Sequence, residues 1–383
     1  MLDIKTFQSD DPIIEDALEE ILAECRKNYK DKPPQAGIIT MTIDMDHKLV
    51  LEGIKKEYPE IELIGCSSYL QISNEMGACY NSILLCLLSS EDIEFRAGVG
   101  RNLSAGSEKS IEQAVQETRA RCTKDAALCI TCPESLSVPG EYIVDGLQKS
   151  LGSKVGVVGG TAACTTEDNL VTLQFYNTEI LKDAAPFLLF CGPIQYAVGI
   201  ASGCVPLETR EVVTKSVGNI VYKIGKLSAS DFYEKYLGGG QLSHENPLAI
   251  FNDEASEQFI LRSPIMSNLE EGSIVFTGLI PEGSYVSMTS VTRDNLIKGV
   301  SSSIKDAEIN SEGVDFSGIF VFSCASREFL LGSRTKEEIN MVKEAFSKEK
   351  AIFGYYAFGE IGPLRKDEIS RFNNHTMVTV LLG

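Results

Sequence analysis

Tryptophan is absent from this sequence, and histidine nearly so: His47, His244 and His375 are the only three in 383 residues. So few imidazoles leave little inventory for general-base chemistry near neutral pH. A basic excess is missing too. Lys and Arg number 35 against 54 Asp and Glu, a formal charge of −19. No basic run offsets this locally, which argues against a nucleic-acid partner or an anionic membrane surface, since both need clustered cations. No apolar stretch reaches the roughly 20 residues that span a bilayer; the longest, around Ser82–Leu88, is strand-sized. The opening MLDIKTFQSDDPIIED is acidic and lacks the positive head and apolar core of a secretory signal. The expected setting is cytoplasmic.

Catalytic signatures are equally scarce. "GCSS" lacks the Gly-x-Ser-x-Gly elbow, no HExxH pair exists, and "GVGRNLSAGSEKS" at 98–110 misses the phosphate-loop spacing. Acids are plentiful, but no carboxylate pair stands out. The expectation is a protein that is not an enzyme and holds no metal. Eleven cysteines form an odd set, mostly inside apolar runs such as SILLCLL, LLFCG and FVFSCA. That pattern reads as reduced, buried thiols, not a secreted disulfide framework. Cys129 and Cys132 have CxxC spacing, yet three apart on a strand they face opposite ways.

What is present is a repeat. Three segments each open with a short apolar strand: AGIIT at 36–40, ALCIT at 127–131 and GIFVF at 318–322. A helix follows in each. Leu51, Ile54 and Tyr58 form one apolar stripe, and Ile143, Leu147 and Leu151 a second, with Pro139 at its start and Gly152 as stop. The third reads as a capping box, Thr335 with Glu338, ahead of Ile339, Val342 and Phe346. Then comes a strand broken by glycine: ELIGCSS, GVVGGTA and AIFGYYA. After a polar loop a third strand closes each unit: SILLCLL at 82–88, LVTLQFY at 170–176 and TMVTVLL at 376–382.

Between the second and third units the pattern turns antiparallel. REVVTKSVGNIVYKIG reads as a hairpin turning at Gly218-Asn219, and KLSASDFYEKYLGGG as a short helix capped by Ser228 or Ser230. Strands follow at PLAIF, FILRSP, SIVFTGL and SYVSMTS. The fold class is α/β: repeated βαβ-β units in mixed sheets with helices packed on them, as two intertwined halves, antiparallel strands lying in the second. The divisions read as an N-terminal segment over 1–29, then domains over 30–190 and 191–383.

In their order, LIGCSS, VVGGTA, AVGIASG, VFSCASREFLLG and the closing YYAFGEIGP with NHT resemble the successive motifs of the FIST family, over nearly the whole chain. The resemblance implies a two-part sensory module. Such modules bind small ligands, amino acids among them, and signal to an output domain or a partner protein. One branch binds haem and senses nitric oxide. No kinase, cyclase or methyl-accepting segment follows residue 383 here, so the expected arrangement is a separate signalling partner or a longer polypeptide. A homodimer is expected on general grounds alone.

Ligands in α/β sheets collect beyond the carboxyl ends of parallel strands. Applied to the repeat, that rule puts Thr131, Cys132, Cys324 and Arg327 on one rim with Cys66, Ser67, Ser68, Gly159, Gly160, Thr161, Tyr355, Tyr356, Gly359 and Glu360. The chemistry suits a small zwitterion: Arg327 for a carboxylate, Glu360 for an amine, tyrosines as walls. The competing reading pairs Arg327 and Glu360 with each other or with backbone. Arg262, inside the apolar FILRSP, is a second ligand candidate: it needs some partner, unless it lies on an exposed edge face. His375 reads either as a haem ligand or base, or as a hydrogen-bonded residue fixing a turn. His244 reads as loop surface. A cysteine nucleophile, from Cys66, Cys132 or Cys324 beside His375, is the enzyme alternative.

Overall fold

The computed structural model describes residues 2–383 except 31, 135, 166–169, 241, 244 and 347–349. The reading of His244 falls outside the described residues.

Three copies of one unit account for most of the chain. The first runs through a leading strand Asp3–Ser9, helix Ile14–Asn28, inner strand Ala36–Met41, helix His47–Glu57, glycine strand Glu62–Ser67, a hairpin of Gln71–Ser73 with Gly77–Cys79, and a closing strand Ile83–Ser89. The second repeats that order from Glu94–Arg101 to Ala184–Cys191, with inner strand Ala126–Thr131, glycine strand Gly156–Gly160 and hairpin Gln174–Tyr176 with Glu179–Leu181. The third starts at Tyr196–Ala201 and resumes with helix Arg293–Asn310, inner strand Gly318–Cys324, glycine strand Ala351–Ala357, hairpin Glu360–Gly362 with Arg371–Asn373, and closing strand Met377–Leu382. Between them sits an inserted antiparallel sheet, Val205 to Ser290, carrying helix Ala229–Leu237.

Each unit's sheet has one strand order: leading, closing, inner, glycine strand, then a hairpin taken from another unit. The first sheet takes the second unit's hairpin through Phe175 opposite Gly65. The second takes the third unit's through Ile361 opposite Gly159, and the third takes the first unit's through Ile72 opposite Gly354. The exchange is cyclic.

The three sheets turn one face toward a common centre. Ile64, Leu84 and Cys86 of the first meet Ile130, Val158 and Leu188 of the second and Phe322, Phe353 and Val380 of the third in one buried cluster. Helices cover the outer faces, each over its own smaller core. Strands covered on both sides read as continuous apolar runs and not as alternation, which is why SILLCLL and its counterparts stand out. Cys129 and Cys132 fall in different clusters, one outer and one central, as strand geometry requires.

Several expectations change. LVTLQFY does not close the second unit; Gln174–Tyr176 joins the first sheet, and Ala184–Cys191 lies antiparallel to the second inner strand. Thr335 and Glu338 do not form a capping box. A separate helix, Ala325–Leu331, precedes Thr335–Ala345. The Thr335 hydroxyl donates back to the Gly332 carbonyl, and Glu338 turns inward to a buried arginine. In the insert, the turn at Gly218-Asn219 and the Ser228 cap are as read. The stretch FILRSP supplies Ile260–Arg262 and runs on into Pro264–Asn268, and these two strands lie at opposite ends of the inserted sheet's strand order. One continuous stretch serving both ends curls the sheet toward a barrel.

Candidate functional site

The repeated glycines have one structural task. Gly65, Gly159 and Gly354 lie opposite Ile39, Thr131 and Val321 on the adjacent parallel strands. An added Cβ would stand 2.0, 2.0 and 2.4 Å from those three carbonyl oxygens. Glycine here admits close strand approach just before the chain crosses to another unit's sheet. These positions shape the central junction, not an open rim.

The motif residues do converge, but into solid packing. Cys66, Ser67, Ser68, Thr161, Arg262, Cys324, Arg327, Tyr355, Glu360 and His375 are all buried. Ser67 Oγ donates to the Ala163 carbonyl and accepts from the Leu173 amide, while Ser68 Oγ accepts from Gln71. The Thr161 amide donates to the Gly359 carbonyl. Tyr355 donates its hydroxyl to the Gly160 carbonyl and lies against the Cys66 and Cys132 thiols. A Cβ on Gly359 would strike the Phe372 ring at 2.2 Å.

Arg327 is not a ligand clamp in this arrangement. Its Nε and Nη2 donate to Glu338 Oε2 at 3.0 and 2.6 Å, and its remaining donors go to the Ser202 and Leu296 carbonyls. Ser323 and Tyr356 hydroxyls donate to the other Glu338 oxygen. Of the two readings for Arg327, the structural one is realised, with Glu338 and not Glu360 as partner. Arg262 has a partner as well: its Nη2 reaches Glu141 at 2.7 Å, and it donates to Asn374 and to the Leu261 and Phe372 carbonyls.

Glu360 begins the hairpin added to the second sheet and is fully buried. Its Oε2 accepts from the amide and hydroxyl of Thr376 at 3.0 and 2.8 Å. Its Oε1 has no hydrogen-bond partner among the described residues. Burial lifts this carboxyl from 4.5 to about 8, opposed by the Thr376 bonds and, more weakly, by the Cys324 thiol and the Arg327 charge. The folded state therefore holds a proton that the unfolded chain releases between those two values. Stability is highest below the lower value and falls as pH rises toward the upper. Glu360→Gln keeps the shape without the proton, so urea unfolding of that variant should lose most of this downward slope from pH 5 to 8. An unchanged slope would refute the assignment.

Beside this group lies a cleft of about 190 Å³, between the third unit and the inserted sheet. Its walls include Ser202, Glu257, Gln258, Arg365, Asn373 and Thr376. Thr376 thus both lines the cleft and holds Glu360. Asn373 uses its Nδ2 on the Gly362 and Arg371 carbonyls, but its buried Oδ1 has no partner among the described residues. Arg365 and Glu257 are exposed on the cleft wall. Neither side chain makes an ion pair or hydrogen bond with a described residue. Sequence reasoning missed both. They sit in the polar loops PLRKDE and NDEASEQ, where the only signal was that one follows GEIGP.

The haem reading meets an obstacle in the residues themselves. His375 is fully buried at a left-handed φ of 58°, and its Nε2 is 2.5 Å from Ser263 Oγ. An axial ligand needs that nitrogen turned to an open pocket; this histidine fixes a turn. The proposed thiol nucleophiles are enclosed too, and burial pushes Cys66 and Cys324 up, opposite to thiolate activation. Among the described residues no group of His, Cys, Asp and Glu is arranged to hold a metal, and no helix is long and apolar enough to cross a membrane.

Comparison with known proteins agrees with the motif reading. The FIST N domain family matches residues 35–226 and the FIST C domain family residues 229–363. The chain belongs to the FIST family, whose domains are generally sensory, small-ligand-binding units of signal transduction. It is similar, at 24% identity over 89% of this chain and 72% of the relative, to the uncharacterized protein MJ1623 of Methanocaldococcus jannaschii. Among solved structures, a cyanuric acid hydrolase from A. caulinodans aligns over 99% of both chains at 8% identity and a TM-score of 0.36. A second cyanuric acid hydrolase aligns at the same identity and score. Likeness at that level carries no statement about activity.

Proposed function

We propose that the chain is a receptor module for a small zwitterion of the amino-acid class, bound in the cleft over Asn373 and Thr376. The observation that carries this reading is that Asn373, a residue of the cleft wall, has a buried side-chain oxygen without a donor among the described residues. A buried acceptor left unpaired costs about 1–3 kcal/mol, and native proteins leave few such atoms unexplained. A ligand ammonium supplies the missing donor, with Glu257 beside it to balance the charge. Arg365 takes the ligand carboxylate through its planar fork. The volume, on the order of six waters, suits a compact metabolite.

Binding, not turnover, is the proposed role. The cleft joins the third unit to the insert, and Arg365 belongs to the hairpin that completes the second sheet. A ligand spanning these walls favours one arrangement of them, and a signalling partner reads that population. Thermal-shift screening of the full chain with free amino acids tests the idea. A ligand at 100 times its Kd adds about 2.7 kcal/mol of stability. Arg365→Ala should weaken binding about 10- to 100-fold, the loss of one charged hydrogen-bonding contact. A panel without any shift, or a shift that Arg365→Ala leaves intact, sinks the reading.

A further inference from the structure

Nine of the eleven cysteines are buried; only Cys79 and Cys122 are partly exposed. Cys122 lies in the turn after helix Ser107–Arg119, and its thiol donates to the Thr118 carbonyl at 3.5 Å. Cys191 ends the closing strand of the same unit. Their sulfurs are 3.1 Å apart, although 69 residues separate them in sequence. A disulfide needs about 2.05 Å between sulfurs, so roughly 1 Å of approach closes the bond. None of the ligand chemistry above uses either residue.

We propose that Cys122 and Cys191 form an oxidisable thiol pair, with hydrogen peroxide as the oxidant. Cys122, the accessible member, attacks the peroxide as thiolate. The O–O bond breaks, leaving a sulfenic acid on Cys122 and one water. The Cys191 sulfur then attacks the Cys122 sulfur, the S–O bond breaks, and a second water leaves with the Cys191 proton. Two thiols lose two electrons and two protons, and one hydrogen peroxide becomes two waters. The pair offers two features of a reversible oxidation site: a partly exposed thiol, and a resolving thiol already in contact with it. The new bond ties the exit of the helix to a strand paired with both the leading and inner strands of its sheet.

The test treats the reduced full chain with limiting hydrogen peroxide, followed by peptide mapping without reductant. The expected product is an intramolecular link between the peptides holding Cys122 and Cys191, two hydrogens lighter than the separate thiols and reversed by dithiothreitol. Closing so long a loop should raise Tm by about 5 °C. Cys122→Ser, at the partly exposed position, should fold normally and lose both the link and the rise. Oxidation of Cys122 to sulfinic acid with Cys191 still a free thiol overturns the proposal. So does reaction at Cys79 while the pair stays reduced. Neither result bears on the zwitterion cleft, which is read separately by ligand-induced shifts under reducing conditions.

Discussion

Glu338→Ala should lower the unfolding free energy by about 3–5 kcal/mol, measured by urea denaturation of the full chain. The carboxylate is fully enclosed and receives four donations: two from Arg327, one from Ser323 and one from Tyr356. Truncation leaves a guanidinium and two hydroxyls facing a void, and an uncompensated buried charge is the costly part. The paired change Arg327→Met with Glu338→Leu removes both charges at similar volume and should recover only the part of the loss due to the unpaired charge, since the Ser323 and Tyr356 hydroxyls still lack their acceptor. A single truncation within about 1 kcal/mol of the parent would mean that water reaches this pair, contrary to its burial. Because Arg327 also holds the Ser202 and Leu296 carbonyls, Glu338→Ala should loosen the cleft wall and reduce ligand affinity as well.

Gly159→Ala should cost about 3 kcal/mol or more, or prevent folding, by the combination of a strained φ and an overfilled site. Its φ is 152°, a region L-residues rarely adopt, and its added Cβ would stand 2.0 Å from the Thr131 carbonyl oxygen. No side-chain rotation relieves a clash with backbone. The residue also pairs with Ile361 of the incoming hairpin, so displacement spreads into the third unit. Gly354→Ala, with 2.4 Å of clearance and no positive φ, should be milder in the same urea experiment. Equal tolerance at both positions would remove close strand approach as the reason for these glycines.

The fold was legible where burial is two-sided. Inner and closing strands are apolar along their whole length, and helices such as Gly140–Leu151 carry one stripe with breakers at each end. The leading strand DIKTFQS escaped notice because it is half-buried and polar at every few residues. The hairpin exchange could not be seen, since three-residue strands carry almost no periodic signal and their partners lie a hundred or more residues away, as with Phe175 and Gly65. At the candidate site, the sequence motifs pointed to Glu360, which Thr376 links to the cleft, although Thr376 itself gave no signal. The cation they offered was Arg327, whose donors go to Glu338 and to two carbonyls. An arginine just beyond an apolar strand stands out in sequence, but at Arg327 burial is balanced by Glu338. Arg365, without a side-chain partner among the described residues, is indistinguishable from any loop arginine until its surroundings are known.

The cyclic hairpin loan has a consequence for how the chain is made. The second sheet's glycine strand ends at Gly160, yet the hairpin that covers it ends at Asn373. At ribosomal rates of roughly 5–20 residues per second, that strand edge waits tens of seconds for its cover. During synthesis it presents unpaired amides and carbonyls to any passing strand, the hazard that edge strands carry. The first sheet is closed once Leu181 has been made, but the second stays open until the third unit follows, so chains cut before Asn373 should express poorly unless a chaperone shields that edge.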